Sequence, residues 1–357
     1  MSARRIVVDR PGGYDRLRLE RFEPAPRPRG HVRLEARAIG VNYADCVARM
    51  GLYESAKKYV GWPLTPGFEL AGHVLDLDGP WKMARGAPVI AITRFGGYTS
   101  VLDVPEHQVF RVPYVRGRPI ALREAAGLPV VYATAWYALH GLAAIRAGQH
   151  LLVHSAAGGV GGAILQLAKQ AGCETTAVVG RTDKVEVARA LGATHVIDKS
   201  REALFARART IAPRGFDVVL DANGAETLKG SYEALRSPGR LVVYGFHTML
   251  PRAGKTLLGR PTRGTPSWRR LATSWLETPR FDPLRMTGEN KSVMAFNLSY
   301  LFEETSLLEE AMSAILDGIE REELSILPTR GFALDDVAEA HRALESGTTT
   351  GKLVLEV

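Results

Sequence analysis

Cysteine is nearly missing from this chain of 357 residues: there are two, Cys46 and Cys173, far apart in sequence. Two cysteines cannot make a disulfide framework or a four-cysteine zinc site, so a reducing cytoplasm is the expected compartment. Long apolar runs are missing as well. The N-terminal MSARRIVVDRPGGYD holds no signal-peptide core. No uninterrupted apolar stretch reaches the roughly 18 residues of a spanning helix. The nearest, Ala125 to Leu139, is too short and contains Pro129. A pervasive charge of one sign is also lacking. The net charge is +8, but residues 251–291 alone hold nine Lys/Arg against three Asp/Glu, and the rest is nearly balanced. A uniformly basic nucleic-acid binder is therefore not expected.

What is present is ordinary globular composition, 46% hydrophobic and 24% charged, which excludes a disordered, collagen-like or coiled-coil chain. The length suggests about two domains. The first third reads as short strands, Arg5 to Asp9, His31 to Ala36, His73 to Leu77 and Val89 to Thr93, separated by Pro/Gly punctuation. No long helix signal comes before residue 120, so a compact, partly open β barrel is expected there. Arg123 to Leu139 has helical spacing. Then βα units follow in series: Leu151 to His154 into a helix over 160–171, Thr176 to Val179 into Asp183 to Leu191, His195 to Ile197, Phe216 to Asp221 into a helix near 225–235, and Arg240 to Tyr244. Val293 to Leu298 is strand-like, 307–317 and 334–346 are helical, and Lys352 to Val357 closes as a strand. This alternation predicts an α/β, doubly wound parallel sheet of the Rossmann kind.

Ser155-Ala-Ala-Gly-Gly-Val-Gly-Gly162 follows a buried-type strand and opens a helix. Ala156, Gly158 and Gly161 take the three small-residue places of a dinucleotide fingerprint, with Gly159 and Val160 between them. The first makes the tight turn, Gly158 lets backbone N–H groups reach a pyrophosphate, and Gly161 lets helix and strand pack closely. The helix N-terminus adds oriented donors and a favourable dipole. At the end of the next strand, an NAD site usually places an acid for the ribose hydroxyls. Here Gly180 stands in that place, with Arg181 and Lys184 beside it. A cationic pocket without the carboxylate predicts NADPH as cofactor. The alternative is that the two cations are solvated charges opening the next helix, with Asp183 as its first-turn acid.

Gly40-Val-Asn-Tyr-Ala-Asp45, Gly51-Leu-Tyr53 and Thr65-Pro-Gly-Phe-Glu-Leu-Ala-Gly72 precede this loop in order. Together with it they resemble the medium-chain dehydrogenase/reductase superfamily, in its zinc-free quinone oxidoreductase branch. Lys291-Ser-Val-Met-Ala-Phe-Asn-Leu-Ser-Tyr300 and the Trp-containing stretch before it are most similar to the vesicle amine transport protein homologues. The resemblance implies a split, mostly β, barrel-like (GroES-like) catalytic domain, with the Rossmann domain inserted in it and the active cleft between the two. The division expected is 1–122, 123–299 (with a basic, Trp-containing insertion at 251–290) and 300–357. It also implies a homodimer. Zinc-dependent relatives carry Cys where this chain has Asn42 and His where it has Phe68; Glu69 alone is not a site, so no metal is expected. Cys46, on the helix after Asn42, reads as a small buried hydrophobe.

By the same resemblance Asn42, Asp45 and Tyr53 line the cleft. Asn42 is a donor to nicotinamide ribose or substrate oxygen, Tyr53 a hydrogen-bond or proton donor, and Asp45 orients its neighbours. Tyr53 as a loop aromatic and Asp45 as a helix brace are the alternatives. Thr134, Asn223 with Gly224, Tyr244, Gly245, Phe246, Phe296, Asn297, Leu298 and Lys352 are implied at the cofactor. Two departures bear on NADPH: a Tyr that often meets the 2′-phosphate is replaced near Asp198-Lys199, where Lys199 can substitute, and an Arg of the terminal segment falls at about Gly347.

In the basic segment, Trp268, Leu271, Ala272, Trp275 and Leu276 share one helical stripe, and Pro266 suits the helix start. The stripe suits either an interfacial helix at an anionic membrane, through residues 265–280, or a lid or dimer element docked on protein; the second is preferred. The expected function is an NADPH-dependent, zinc-independent reductase that passes hydride to a quinone or to an α,β-unsaturated carbonyl. One alternative is an enoyl-thioester or tailoring reductase in a biosynthetic pathway. The other is a nucleotide-binding protein without turnover, acting through a protein or membrane partner.

Overall fold

The βα series after residue 150 folds into one six-stranded sheet. The computed structural model describes residues 2–79, 82–250 and 264–357. Contacts group these into two units, one from Met1–Val130 and Leu298–Val357, the other from Val131–Leu250 and Ser267–Asn297. In the second unit the sheet runs His195–Asp198, Glu174–Val179, His150–Val153, Phe216–Asp221, Leu235–Val243, Lys291–Ala295, all neighbours parallel. Numbered along the chain, that order is 3-2-1-4-5-6, the doubly wound arrangement. Its strands are apolar on both faces: Phe216–Asp221 is buried at every position, and Leu152, Val178, Ile197, Val219 and Leu241 form one core. Helices Gly159–Gln170, Val185–Ala190, Leu204–Ile211 and Leu228–Glu233 link successive strands.

The first unit is built on His31–Val41, which pairs antiparallel with Glu69–Asp76, Val101–Pro105 and the C-terminal strand Lys352–Glu356. Alternation along His31–Val41 puts Val32, Leu34 and Ala36 into a core with Leu70, Val89, Tyr98, Leu353 and Leu355, and a register shift between Ala36 and Ala38 brings Ile39 into it. Helix Val337–Glu345 covers it with Val337 and Ala340. The split catalytic domain implied by resemblance is thus realised in one sheet, because residues from both ends of the chain share strand pairing. The register Leu353↔Val41 also sets Lys352 beside Asn42.

Several elements differ from expectation. The helix expected after Asn42 is Tyr43–Arg49, and a second short one, Glu54–Tyr59, also lies in the third that otherwise reads as β. Each spans two turns or fewer, too short for a helical period to stand out. The run 123–139 breaks into Leu122–Ala125 and Pro129–Trp136, followed by a wider π turn over Tyr137–Leu142. Pro129, which has no N–H to give, starts the second helix rather than interrupting the first. The helix expected near 225–235 shortens to Leu228–Glu233, because Leu235 already pairs with Phe216. The strand expected to reach Leu298 ends at Ala295.

Of the basic segment, residues 251–263 lie outside the described residues, and Trp268–Glu277 is a helix as expected. Trp268, Trp275 and Leu276 are 73%, 65% and 75% exposed, with Leu271 half-buried, so among the described residues no core of the same chain covers this face. Among the described residues no helix is long and apolar enough to cross a membrane.

Candidate active site

In the second unit, Gly158 caps the helix Gly159–Gln170, which starts one residue earlier than expected. Ser155, at φ 54°, turns the chain out of the strand, and the Ala156 N–H is held by the Val178 carbonyl. A Cβ on Gly161 would lie 2.5 Å from the Ser155 carbonyl oxygen and 2.7 Å from Ala156 Cα. Only glycine permits that closeness, and the cradle left over Gly158 to Gly161 fits a pyrophosphate on the helix N-terminus. The strand Glu174–Val179 then ends at exposed Gly180, and a Cβ there would be 3.6 Å from Lys199 Cε. Arg181 is exposed and paired with Asp183 at 2.9 Å. Lys184 is not a surface cation: it is 9% exposed, and burial lowers its pKa. The solvent-facing positive groups beside Gly180 are therefore Arg181 and Lys199.

Asn223 is 1% exposed: Oδ1 accepts from Ser155 Oγ at 2.9 Å, while Nδ2 lies 3.4 Å from His154 Nδ1. It braces the glycine loop. Asp221, fully buried, holds it there by accepting the backbone N–H groups of Asn223 and Gly224 and the hydroxyls of Thr227 and Ser231. Phe246 is exposed and lies against Gly224, where a Cβ would come within 2.9 Å of its ring. Tyr244 and Gly245 are half-buried at the end of Leu235–Val243, and burial pushes the Tyr244 phenol up. Thr134 is buried in Pro129–Trp136. The Phe296 ring stands edge-on to Tyr137 at 4.9 Å, with half-buried Asn297 after it.

In the first unit, Asn42 caps the helix Tyr43–Arg49. Its backbone N–H donates to Asp45 Oδ2 at 2.8 Å, the reciprocal bond of a capping box. Asp45 Oδ1 accepts the Gly67 N–H at 2.8 Å, and Tyr98 also hydrogen-bonds to this carboxyl. So Asp45 fastens the helix to the Thr65–Gly72 segment. The Tyr98 hydroxyl lies 3.1 Å from His341 Nε2. Half-buried Tyr53, capping Glu54–Tyr59, packs edge-on against buried Phe68 (5.7 Å) and Phe95 (6.1 Å). Leu298 opens a short turn and is half-buried.

The Asn42 side chain meets two groups. Nδ2 donates to Glu69 Oε1 at 2.8 Å, and Oδ1 accepts from Lys352 Nζ at 2.5 Å. Lys352 Nζ is also 2.6 Å from Glu69 Oε1, and Glu69 Oε2 takes the Val130 N–H at 2.7 Å. In sequence Glu69 reads only as too little for a metal site, and the close approach of Gly40, where a Cβ would crowd Glu69 Oε1, is not legible. A buried acid within reach of a C-terminal lysine was the available signal, but the pairing register had to be known to read it.

Burial raises the Asp45 carboxyl from 3.8 to about 7, against the opposing pull of its hydrogen bonds. The folded state therefore holds this proton more tightly than the unfolded chain. The associated stability is complete below pH 3.8 and is lost as pH rises through 7. The melting temperature of the wild type is expected to fall more between pH 5.5 and 8 than that of Asp45→Asn, which cannot ionise. Equal slopes in the two proteins would count against the shift.

Residues 28–114 match the alcohol dehydrogenase GroES-like domain family and residues 191–355 the zinc-binding dehydrogenase family. With the doubly wound sheet and the split β unit, the chain belongs to the medium-chain dehydrogenase/reductase superfamily of oxidoreductases. It is 33% identical over 357 residues to a synaptic vesicle membrane protein VAT-1 homolog of Danio rerio, covering 99% of this chain and 69% of the relative. It is 32% identical over 365 residues to polyketide synthase GfsB of Streptomyces halstedii, covering 100% of this chain but 6% of that protein. The structure of Escherichia coli quinone oxidoreductase complexed with NADPH superimposes with a TM-score of 0.83 at 25% identity, covering 99% of this chain and 100% of that one.

The zinc of the family's description does not fit the residues at Asn42. An amide and a phenylalanine stand beside a carboxylate whose Oε1 already holds an ammonium, where zinc needs at least three N, S or O ligands. Cys46, His341 and Glu345 also approach one another within 4.8 Å, all buried. There, however, Arg49 bonds one Glu345 oxygen at 2.5 Å and Tyr14 the other at 2.6 Å, so a guanidinium already supplies the positive charge.

Proposed function

We propose that this protein is an NADPH-dependent, zinc-independent reductase acting on quinones or α,β-unsaturated carbonyls. The observation that carries the reading is the end of strand Glu174–Val179. Gly180 offers no carboxylate to ribose hydroxyls, and Arg181 and Lys199 flank it. The residues proposed to hold the cofactor are Ala156 to Gly161 for the pyrophosphate and Gly180, Arg181 and Lys199 for the ribose phosphate. Thr134, Tyr244, Gly245, Phe246, Phe296, Asn297 and Leu298 are proposed around the nicotinamide half. Bound, the cofactor supplies a hydride. Asn42 donates a hydrogen bond to the substrate oxygen, and Tyr53, set on a phenylalanine pair, offers a flat apolar surface and a phenol proton. Two copies are proposed to pair as a homodimer in the cytoplasm.

Titration calorimetry with NADPH and NADH tests the cofactor. NADPH is expected to bind at least tenfold more tightly, and Arg181→Ala with Lys199→Ala to erase most of that margin. Equal affinities in the wild type would remove the phosphate reading. A second reading, an enoyl-thioester reductase, is favoured by the match to one segment of polyketide synthase GfsB. Crotonyl thioester of pantetheine set against a free enone separates the two, and no preference would remove the second.

A further inference from the structure

Lys352 enters the first unit on the last strand, and its stem runs past Gly127, where a Cβ would be 3.0 Å from Lys352 Cγ. Its ammonium ends 3% exposed, against fully buried Glu69 and the Asn42 amide. A primary amide can lie in two flipped orientations of nearly equal shape, which differ in where its donors point. Here the choice is forced. An ammonium can only donate, so it requires oxygen at the position facing it; a carboxylate can only accept, so it requires N–H. The flipped amide would set NH₂ against NH₃⁺ and oxygen against carboxylate. One Asn42 N–H is thus spent on Glu69, and the second has no partner among the described residues. An amide whose oxygen is held by a cation is also a stronger donor through its remaining N–H.

We propose that Lys352 is a positioning residue: with Glu69, its buried ammonium locks the Asn42 amide so that one N–H is kept for the reacting oxygen, in place of a metal's pull. Lys352 acts through Asn42. The proposal rests on the reductase reading for its reacting oxygen, but the locked amide is a property of the chain alone.

Removing one charge leaves the other buried and unpaired, so Lys352→Met by itself can fail to fold. The informative variant is the double Lys352→Met/Glu69→Gln, which buries no lone charge, with Lys352→Arg as the conservative rescue. Measured on 1,2-naphthoquinone and a simple enone, the double variant is expected to keep its NADPH affinity and KM within about threefold and to lose at least 30-fold in kcat. Lys352→Arg is expected to regain part of the loss, since a guanidinium still donates to Oδ1. A double variant with wild-type kcat would overturn the proposal, and so would a loss of NADPH affinity that parallels the loss of kcat. If the wild type binds NADPH but turns over neither substrate, the reductase reading fails by itself. The side-chain amide protons of Asn42 then decide the matter. Slow exchange of the Glu69-bonded proton in the wild type and fast exchange in the double variant support the lock, and equal exchange overturns it.

Discussion

Gly161→Ala is expected to cost the protein both its nucleotide and part of its stability. The added methyl would meet the Ser155 carbonyl at 2.5 Å and Ala156 Cα at 2.7 Å, and both are backbone atoms that cannot swing aside as a side chain would. The loop between strand and helix must open, at about 1–3 kcal/mol for an overpacked site. Opening it moves the N–H groups at Gly159 and Val160 away from the place of a pyrophosphate. A fall in NADPH affinity of at least 100-fold, about 2.7 kcal/mol, is expected. Gly158→Ala supplies the contrast. Its methyl would lie 3.3 Å from the Ser155 oxygen, a tight contact that a small shift relieves. That variant should keep its melting temperature while weakening the nucleotide. Calorimetric melting and NADPH titration on both proteins check the order; a Gly161→Ala protein that melts and binds like the wild type would show the closeness to be unnecessary.

The second large effect lies at Glu345, far in sequence from any motif. Glu345 and Arg49 are buried, joined at 2.5 Å, with the Tyr14 hydroxyl on the other carboxylate oxygen. Arg49 also stacks on the Tyr14 ring at 4.5 Å. Glu345→Gln keeps the shape and removes the charge, stranding the guanidinium. Breaking a buried pair in this way costs about 3–5 kcal/mol. The double variant Arg49→Met/Glu345→Gln leaves no charge behind and should recover most of the loss, because apolar replacements of such pairs are often near neutral. Circular dichroism melts of the single and double variants measure this directly. A single variant as stable as the wild type would mean that water reaches Arg49.

How legible these features were depends on how locally each is determined. The nucleotide sheet was readable strand by strand, because buried parallel strands are continuous apolar runs and the glycine loop sits between one such run and a helix. Its cradle residues follow from the same few positions. The aromatic seat of Tyr53 was not readable, since Phe68 and Phe95 reach it through tertiary packing and carry no spacing signal. The burial of Lys184 was hidden for a related reason. Its charge is evident in sequence, but its place as the residue capping Val185–Ala190 turns it inward. The cluster at Asn42 was half legible: Asn42 and Glu69 stand in motifs, whereas Lys352 joins them through a strand pairing that spans 310 residues. Asn223 reads as a cofactor contact by position; its bond to Ser155 Oγ, which braces the glycine loop, carries no signal in sequence.

The exposed helix Trp268–Glu277 has a practical consequence for spectroscopy. The chain has five tryptophans, and two of them stand in water on this helix, while Trp136 is buried. Among the described residues of a single chain, indole emission therefore carries a solvent-relaxed, easily quenched share from Trp268 and Trp275. Unfolding changes the surroundings of Trp268 and Trp275 little, so a melt followed by tryptophan emission under-reports the transition of the sheets. The same signal responds strongly to anything that dries this one helix, which makes the pair a native reporter of its surface.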